Sequence, residues 1–218
     1  MALLDDMLNY IIERCVKIKF PTGTSSWRDI KEVDRFYLLL AIREYTFING
    51  DNKLQVLVSD SKTIDVKKEM IDYLKIGPEL LKYYDPDTRC FILNFKETGS
   101  MRLTLPSVGV TNWIKNYVIR KRQAQEPMDE DFIPFAPFVI LDWRGLADNT
   151  YQQYAIQSNN WSVLQISALT EIQKILVEAI EPVVKYNDEQ GGERVIPLRF
   201  PNGIKSIFLI PNPLSKLG

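Results

Sequence analysis

Trp27-Arg-Asp-Ile-Lys-Glu-Val-Asp-Arg-Phe-Tyr-Leu-Leu-Leu-Ala-Ile-Arg-Glu-Tyr-Thr-Phe47 is the stretch on which the fold turns. Ser26 stands where an N-cap would, with Asp29 three residues on to complete a capping box. Apolar residues recur at Ile30, Val33, Tyr37, Leu40 and Ala41, which is helical spacing. Phe36 to Ile42 is then apolar without a break, which predicts a central helix over 27–47 whose middle is buried on every side. Asp34, Arg35 and Arg43 flank the buried segment, and the two arginines lie two turns apart on one face. A charge that close to a core needs a partner, because stranding it costs several kcal/mol. Either the charges sit at the two ends of a core helix, or the arginines fix a second chain or an acidic segment in place.

Outward from this helix, Leu3 to Cys15 reads as an amphipathic helix and Val16 to Phe20 as a strand, closed by a turn at Pro21-Thr-Gly-Thr. After it, Asn49-Gly50-Asp51-Asn52 signals a loop or hairpin, and Leu54 to Val58 a strand. Val66 to Leu74 is mixed in pattern and ends at Gly77-Pro78. Arg89 to Phe95 and Met101 to Leu105 read as an antiparallel hairpin. Ser107 to Lys121 reads as a helix with Val110, Trp113, Ile114, Tyr117 and Val118 on one face. Later, Thr150 to Gln157 and Ser167 to Val184 are expected helices. Val195 to Phe200 and Ser206 to Ile210 are expected strands around a turn at Pro201-Asn-Gly203.

The expected fold class is therefore α+β, helix-rich with small antiparallel hairpins and one buried central helix. Residues 1–122 form an N-terminal α+β half around the 27–47 helix. Residues 123–131, polar and acidic, are the linker. Residues 132–218 are a helical C-terminal half ending in a β-hairpin.

Composition narrows the function classes. At 218 residues the chain can build one good core or two small subdomains, and its apolar (45%) and charged (25%) fractions are those of a soluble globular protein. A net charge of −1 gives no general attraction to nucleic acid or an anionic membrane. The chain has no histidine, which removes the commonest general base and metal ligand. Its two cysteines, Cys15 and Cys90, have no paired spacing, which fits a reducing cytosol. The early acids of Met-Ala-Leu-Leu-Asp-Asp are unlike a signal peptide, and no apolar run approaches the ~20 residues that span a bilayer.

Chemical motifs are absent in the same way. There is no Gly-x-x-x-x-Gly-Lys and no Gly-x-Gly-x-x-Gly, and Gly191-Gly192 reads as a turn beside a phosphate-repelling Glu193. Asp5-Asp6, Asp85-Pro-Asp87 and Asp129-Glu130-Asp131 lack the alternating oxygen spacing of a calcium loop. The basic run of Lys115, Arg120, Lys121 and Arg122 is favoured at a helix C-terminus, or docks the acidic run 129–131 of this chain or a neighbour. Phe132, Phe135, Phe138 and Trp143 form a dense aromatic segment interrupted by Pro134 and Pro137. It is core, or, where its rings stay exposed, an assembly interface. The residues thus singled out for interface or structural roles are Asp34, Arg35, Arg43, Trp113, Arg120, Lys121, Arg122 and these four aromatics; none is read as catalytic, cofactor-binding or metal-binding.

The pattern Asp34-Arg35-x-x-Leu38-Leu39-x-Ala41-x-Arg43, followed at once by Thr46-Phe47, resembles the hub family of contractile-tailed phage baseplates, the T-even-type hub subunits and hub assembly proteins. In such proteins a strand, a Leu-Pro segment (here Leu105-Pro106) and an acidic helical second half follow this helix. The resemblance covers most of the chain in order and length, and its specific part is the helix. Many relatives carry Cys-x-x-Cys knuckles after the helix and near the C-terminus. This chain has no cysteine at Leu54 to Ser61 or around Gly191-Gly192-Glu193, so the resemblance implies zinc-free, ribbon-like hairpins there. It implies a non-enzymatic part of a phage tail baseplate, or a factor for assembling its hub, without a cofactor. Its partners would be other phage baseplate and tail proteins in a hetero-oligomeric assembly, with no nucleic acid and no membrane. It would be found in the host cytoplasm during assembly, and in the virion tail if retained. The competing readings are an assembly factor absent from the finished virion, a cytosolic protein-binding module, and an enzyme working with carboxylates and lysines alone.

Overall fold

The computed structural model describes residues 2–15, 26–46, 54–59, 62–73, 75–96 and 99–200. The fold is α+β, with helices accompanied by antiparallel sheets of two or three strands. The chain divides into two compact units with interleaved segments. One takes Met1–Lys17, Val33–Leu74 and Ala179–Gly218, and the other takes Ile18–Glu32 and Lys75–Glu178. The division expected at 123–131 is not where the chain parts, since that segment and both its flanks lie inside the second unit.

The first unit contains helix α1 (Ala2–Cys15), nearly all of α2 (Glu32–Thr46), and strands β1 (Leu54–Ser59), β2 (Lys62–Val66) and β3 (Ile71–Tyr73). β1 and β2 pair as an antiparallel hairpin with Leu54 opposite Val66 and Val56 opposite Ile64. Leu54, Val56 and Val66 are buried with Leu40, Ile71 and Val184, as the two-residue period of a strand requires. The expected helix at 27–47 does not form in one piece. Trp27–Asp29 is a single 3-10 turn, Ile30 is extended, and α2 begins only at Glu32. Nor is α2 buried on every side. Leu39, Leu40 and Arg43 are buried and Phe36 packs beside them, whereas Tyr37 on the far face is 48% exposed. Positions 36, 39, 40 and 43 make an ordinary one-sided stripe.

The remaining strands of this unit, β7 (Pro182–Asn187) and β8 (Glu193–Pro197), pair with each other and with β3, β7 lying in the middle. Ile71, Val184 and Ile196 are aligned across the three strands. The helix expected to run to Val184 stops at Ile180, because Pro182 cannot continue it and the β-branched Val183 and Val184 suit a strand. Gly191, at φ 80°, makes the turn from β7 to β8. The expected strand at 16–20, the turns at 21–24, 49–52 and 201–203, and the strand at 206–210 lie outside the described residues.

The second unit is built from α3 (Pro78–Leu81), strands β4 (Tyr84–Asp85), β5 (Cys90–Phe95) and β6 (Gly99–Leu103), and helices α4 (Val108–Gln123), α5 (Ala136–Val139), α6 (Asp148–Ser158) and α7 (Val163–Ile180) up to Glu178. The β5–β6 hairpin is the expected one, with Phe91 opposite Leu103 and Leu93 opposite Met101. These four side chains pack with Phe138, Leu169, Ile172 and Leu176. Ser107 caps α4 by accepting from the Val110 amide at 3.3 Å. Val110, Ile114 and Tyr117 then pack on Phe132, Ala136, Ile140, Tyr151 and Ala155. Phe135 and Trp161 touch both groups and join them into one core.

Residues 26–32 are fastened to this unit. The Ile30 carbonyl accepts from the Val108 amide at 2.8 Å, the Pro106 carbonyl accepts from the Glu32 amide at 2.9 Å, and the Lys31 ammonium donates to Thr104 Oγ1 and the Leu105 carbonyl, both at 2.8 Å. These long-range bonds hold Ile30 extended and explain the break in the expected helix. α7 also begins earlier than expected. Ser162 and Gln165 form a reciprocal capping box, the Gln165 amide reaching Ser162 Oγ at 3.3 Å and the Ser162 amide reaching Gln165 Oε1 at 2.9 Å.

Candidate functional site

The residues singled out from sequence fall into four places. Asp34, Arg35 and Arg43 lie on α2 in the first unit, with Asp34 exposed, Arg35 half-buried and Arg43 only 3% exposed. Trp143 lies at the N-terminal end of α4, where its indole donates to Asp29 Oδ1 at 2.8 Å and the Arg28 guanidinium stands 5.1 Å from its ring. Phe138 belongs to the hairpin core. The other six, Trp113, Arg120, Lys121, Arg122, Phe132 and Phe135, converge around the second half of α4.

There the basic run is matched by acids of the same chain. Arg120 meets Asp148 at 2.7 Å, Lys121 meets Glu126 at 2.5 Å and Asp148 at 3.8 Å, and Arg122 meets Glu130 at 3.6 Å. The hydrogen bond that Lys121 donates to the Glu126 carboxylate holds its ammonium above the ordinary lysine range. Of the acidic run, Glu130 supplies the partner of Arg122, while Asp129 accepts from the Phe132 amide at 3.1 Å. A basic surface free to hold phosphates is not what this cluster offers.

The aromatic segment is mostly interior. Phe132 and Phe138 are buried, and Phe135 and Trp143 half-buried. Pro134 precedes α5 and Pro137 sits in its first turn, where a missing N–H costs nothing, so the prolines shape the segment without exposing its rings. Phe132 lies 5.4 Å from Tyr151, which is 4.5 Å from Tyr117 and 5.6 Å from Trp113, centroid to centroid. Tyr151, unnoticed in the sequence, is the hub of this cluster. Its ring is 1% exposed, and its hydroxyl meets no hydrogen-bond partner among the described residues. Burial, then the proximity of Tyr117 and Asp129, pushes its ionisation above the ordinary tyrosine range.

Two hollows flank these rings. One, of about 270 Å³, is walled by Tyr117, Met128, Tyr151 and Ala155, with Asp129 and Gln152 among its polar groups. The other, of about 430 Å³, lies between Trp161, Tyr154, Arg102, Gln157 and Asn160. Sequence reasoning also missed an exposed apolar group at the α6–α7 corner. Ile156, Val163 and Leu164 are 63%, 82% and 67% exposed, with Ile166 beside them. The signal was available, because the Ser162-x-x-Gln165 box fixes the start of α7 and Gln165 as the buried member of its first turn.

Among the described residues, no cluster of three or more acids and cysteines is placed to hold a metal ion, and no helix is long and apolar enough to cross a membrane. No protein-family model, no curated protein and no solved structure matches this chain.

Proposed function

We infer that this protein works by binding other proteins, without catalysis, as a structural component of the hub region of a contractile phage tail baseplate. The observation that carries the protein-binding part is the apolar group at the α6–α7 corner. Three aliphatic side chains with more than half their surface in water, close together in sequence, are what an assembly surface presents before its partner covers it. The resemblance of the Asp34 to Phe47 stretch to baseplate hub proteins supplies the kind of assembly. Self-neutralisation of the basic run favours protein over nucleic acid as the partner.

Residence in the host cytoplasm during assembly, and in the virion tail afterwards, belongs to the same proposal. Cross-linking in infected cells tests it, with a photoreactive residue in place of Leu164. Cross-links to tail or baseplate proteins are expected. A protein cross-linked to none of them, or one that turns over a substrate through its own carboxylates, contradicts the reading.

A further inference from the structure

We propose that the hollow walled by Trp161 and Arg102 binds a small ring acid, a six-membered ring that carries hydroxyl groups and one carboxylate. This goes beyond the assembly reading and does not depend on it. The hollow lies wholly inside the second unit, and its volume, about 430 Å³, suits a single ring with its substituents. Trp161 is a fixed wall, because Phe132 and Phe135 meet its ring at steep angles with centroids 6.1 Å away. Val139 and Leu141 add aliphatic surface, so the C–H faces of a ring gain from being covered there. Ser100, Tyr154, Gln157 and Asn160 stand among them with hydroxyl and carboxamide groups. Such groups favour a ring that carries hydroxyls over a bare hydrocarbon.

The ligand's negative charge follows from two donors. Among the described residues no carboxylate lines the hollow, whereas Arg102 does, and its guanidinium forms no ion pair there. Asp85, the acid that senses its charge, is engaged by Thr88 Oγ1 at 2.6 Å and by the Asp87 amide at 3.1 Å. Gln165 supplies the second donor. It is 5% exposed, and its Oε1 accepts from the Ser162 amide at 2.9 Å. A backbone amide only donates, so the atom it meets is the oxygen and Nε2 is left over. That N–H group has no hydrogen-bond partner among the described residues, yet it is not sealed from solvent as the Tyr151 hydroxyl is. Gln165 lines the hollow, and there its donor opens. It stands in the first turn of α7, whose N-terminal end adds positive potential. A carboxylate gains charge-assisted bonds from such donors, a neutral ring forgoes them, and a cation meets like charge.

The test titrates the full chain, labelled with 15N at its four tryptophan indoles, with glucuronate and 3,4-dihydroxybenzoate. Glucose and catechol serve as their uncharged counterparts. Trp161 reports from the wall of the hollow, its signal identified with Trp161→Phe. At least one of the two acids is expected to shift that signal saturably, and the tighter of them tells a sugar acid from an aromatic acid. It should bind at least about tenfold more tightly than its uncharged counterpart, the worth of one charge-assisted hydrogen bond. Arg102 is exposed, so Arg102→Gln should fold as the parent does, and in it the acid should fall to the level of the counterpart. Gln165→Glu keeps an oxygen for the Ser162 cap and puts a negative charge in place of the donor, so it should abolish binding of the acid. No saturable shift from either acid overturns the proposal. An acid that binds no more tightly than its counterpart, or that Arg102→Gln binds unchanged, overturns it too.

Discussion

Trp143 donates its indole Nε1–H to Oδ1 of Asp29, 2.8 Å away and 114 residues earlier in the chain. The other oxygen, Oδ2, accepts from the Ser26 amide at 3.0 Å and from the Arg144 guanidinium. One carboxylate therefore caps the 3-10 turn at Trp27–Asp29 and ties it to the connection between α5 and α6. The bond predicts that Trp143→Phe, which keeps the ring and loses the donor, lowers stability by about 1–2 kcal/mol. Urea unfolding should show an earlier midpoint at unchanged slope. An unchanged midpoint would mean that the bond contributes nothing.

Gly109, in the first turn of α4, lies against the same indole. A Cβ there would stand 2.4 Å from Trp143 Cγ and 2.9 Å from Arg28 Cβ. In an open helix Gly→Ala stabilises by about 1 kcal/mol. Here Gly109→Ala should destabilise by about 1–3 kcal/mol through overpacking. The same substitution in a Trp143→Ala background should cost little. Thermal unfolding of the four proteins of this cycle decides it.

Arg43 is nearly as buried as the leucines beside it on α2. Arg43→Ala should therefore cost about 2 kcal/mol or more, through lost packing of the long stem and loss of the guanidinium's own interactions. Equilibrium unfolding checks it, and a variant of unchanged stability that still assembles would remove Arg43 from the account.

Asp188 organises the β7–β8 turn, accepting from the amides of Gln190 and Gly192 at 3.0 and 2.8 Å and from Arg194 Nε at 2.8 Å. Chiefly through Arg194, its ionisation lies below the ordinary value of 3.8. A carboxylate depressed on folding contributes stability that is complete above the unfolded value and lost as pH falls through the folded one. Amide exchange in this hairpin should thus be pH-insensitive in its protection above pH 5 and lose protection below about pH 4. Asp188→Asn should start less protected and show no such step. Identical acid profiles for the two proteins would contradict the assignment.

Val163 and Leu164 lie in water, so Val163→Asp with Leu164→Asp should leave stability within about 0.5 kcal/mol. If the corner is the assembly surface, the double variant should be folded, soluble and unable to support particle formation in a complementation assay. Normal particle yield from it would show that the surface lies elsewhere.

Local signals carried much of the fold. The Ser26–Asp29 capping box, the Ser107 cap of α4 and the alternation of β5 and β6 are all where their residues put them. What misled was tertiary. No glycine or proline marks a break between Trp27 and Phe47, and the break at Ile30 comes from hydrogen bonds to Pro106 and Val108, far along the chain. Helical spacing continued past Ala179 into Val183 and Val184, although Pro182 marked the end. The interleaving of the two units follows from pairings such as Ile71 with Val184, which no window of neighbouring residues contains. Of the candidate site, Trp113, Lys121 and Phe132 were legible as aromatic or basic clusters. Tyr151 was not, because its role comes from three rings on other segments closing around it.

The most direct test of the assembly reading is quantitative mass spectrometry of purified, DNA-filled particles from the host that makes this protein. The account predicts the chain at a fixed, low copy number per tail. Its absence from particles, alongside abundance in the infected cell, would contradict a virion component and make it an assembly factor. Its absence from any phage context would contradict the reading altogether.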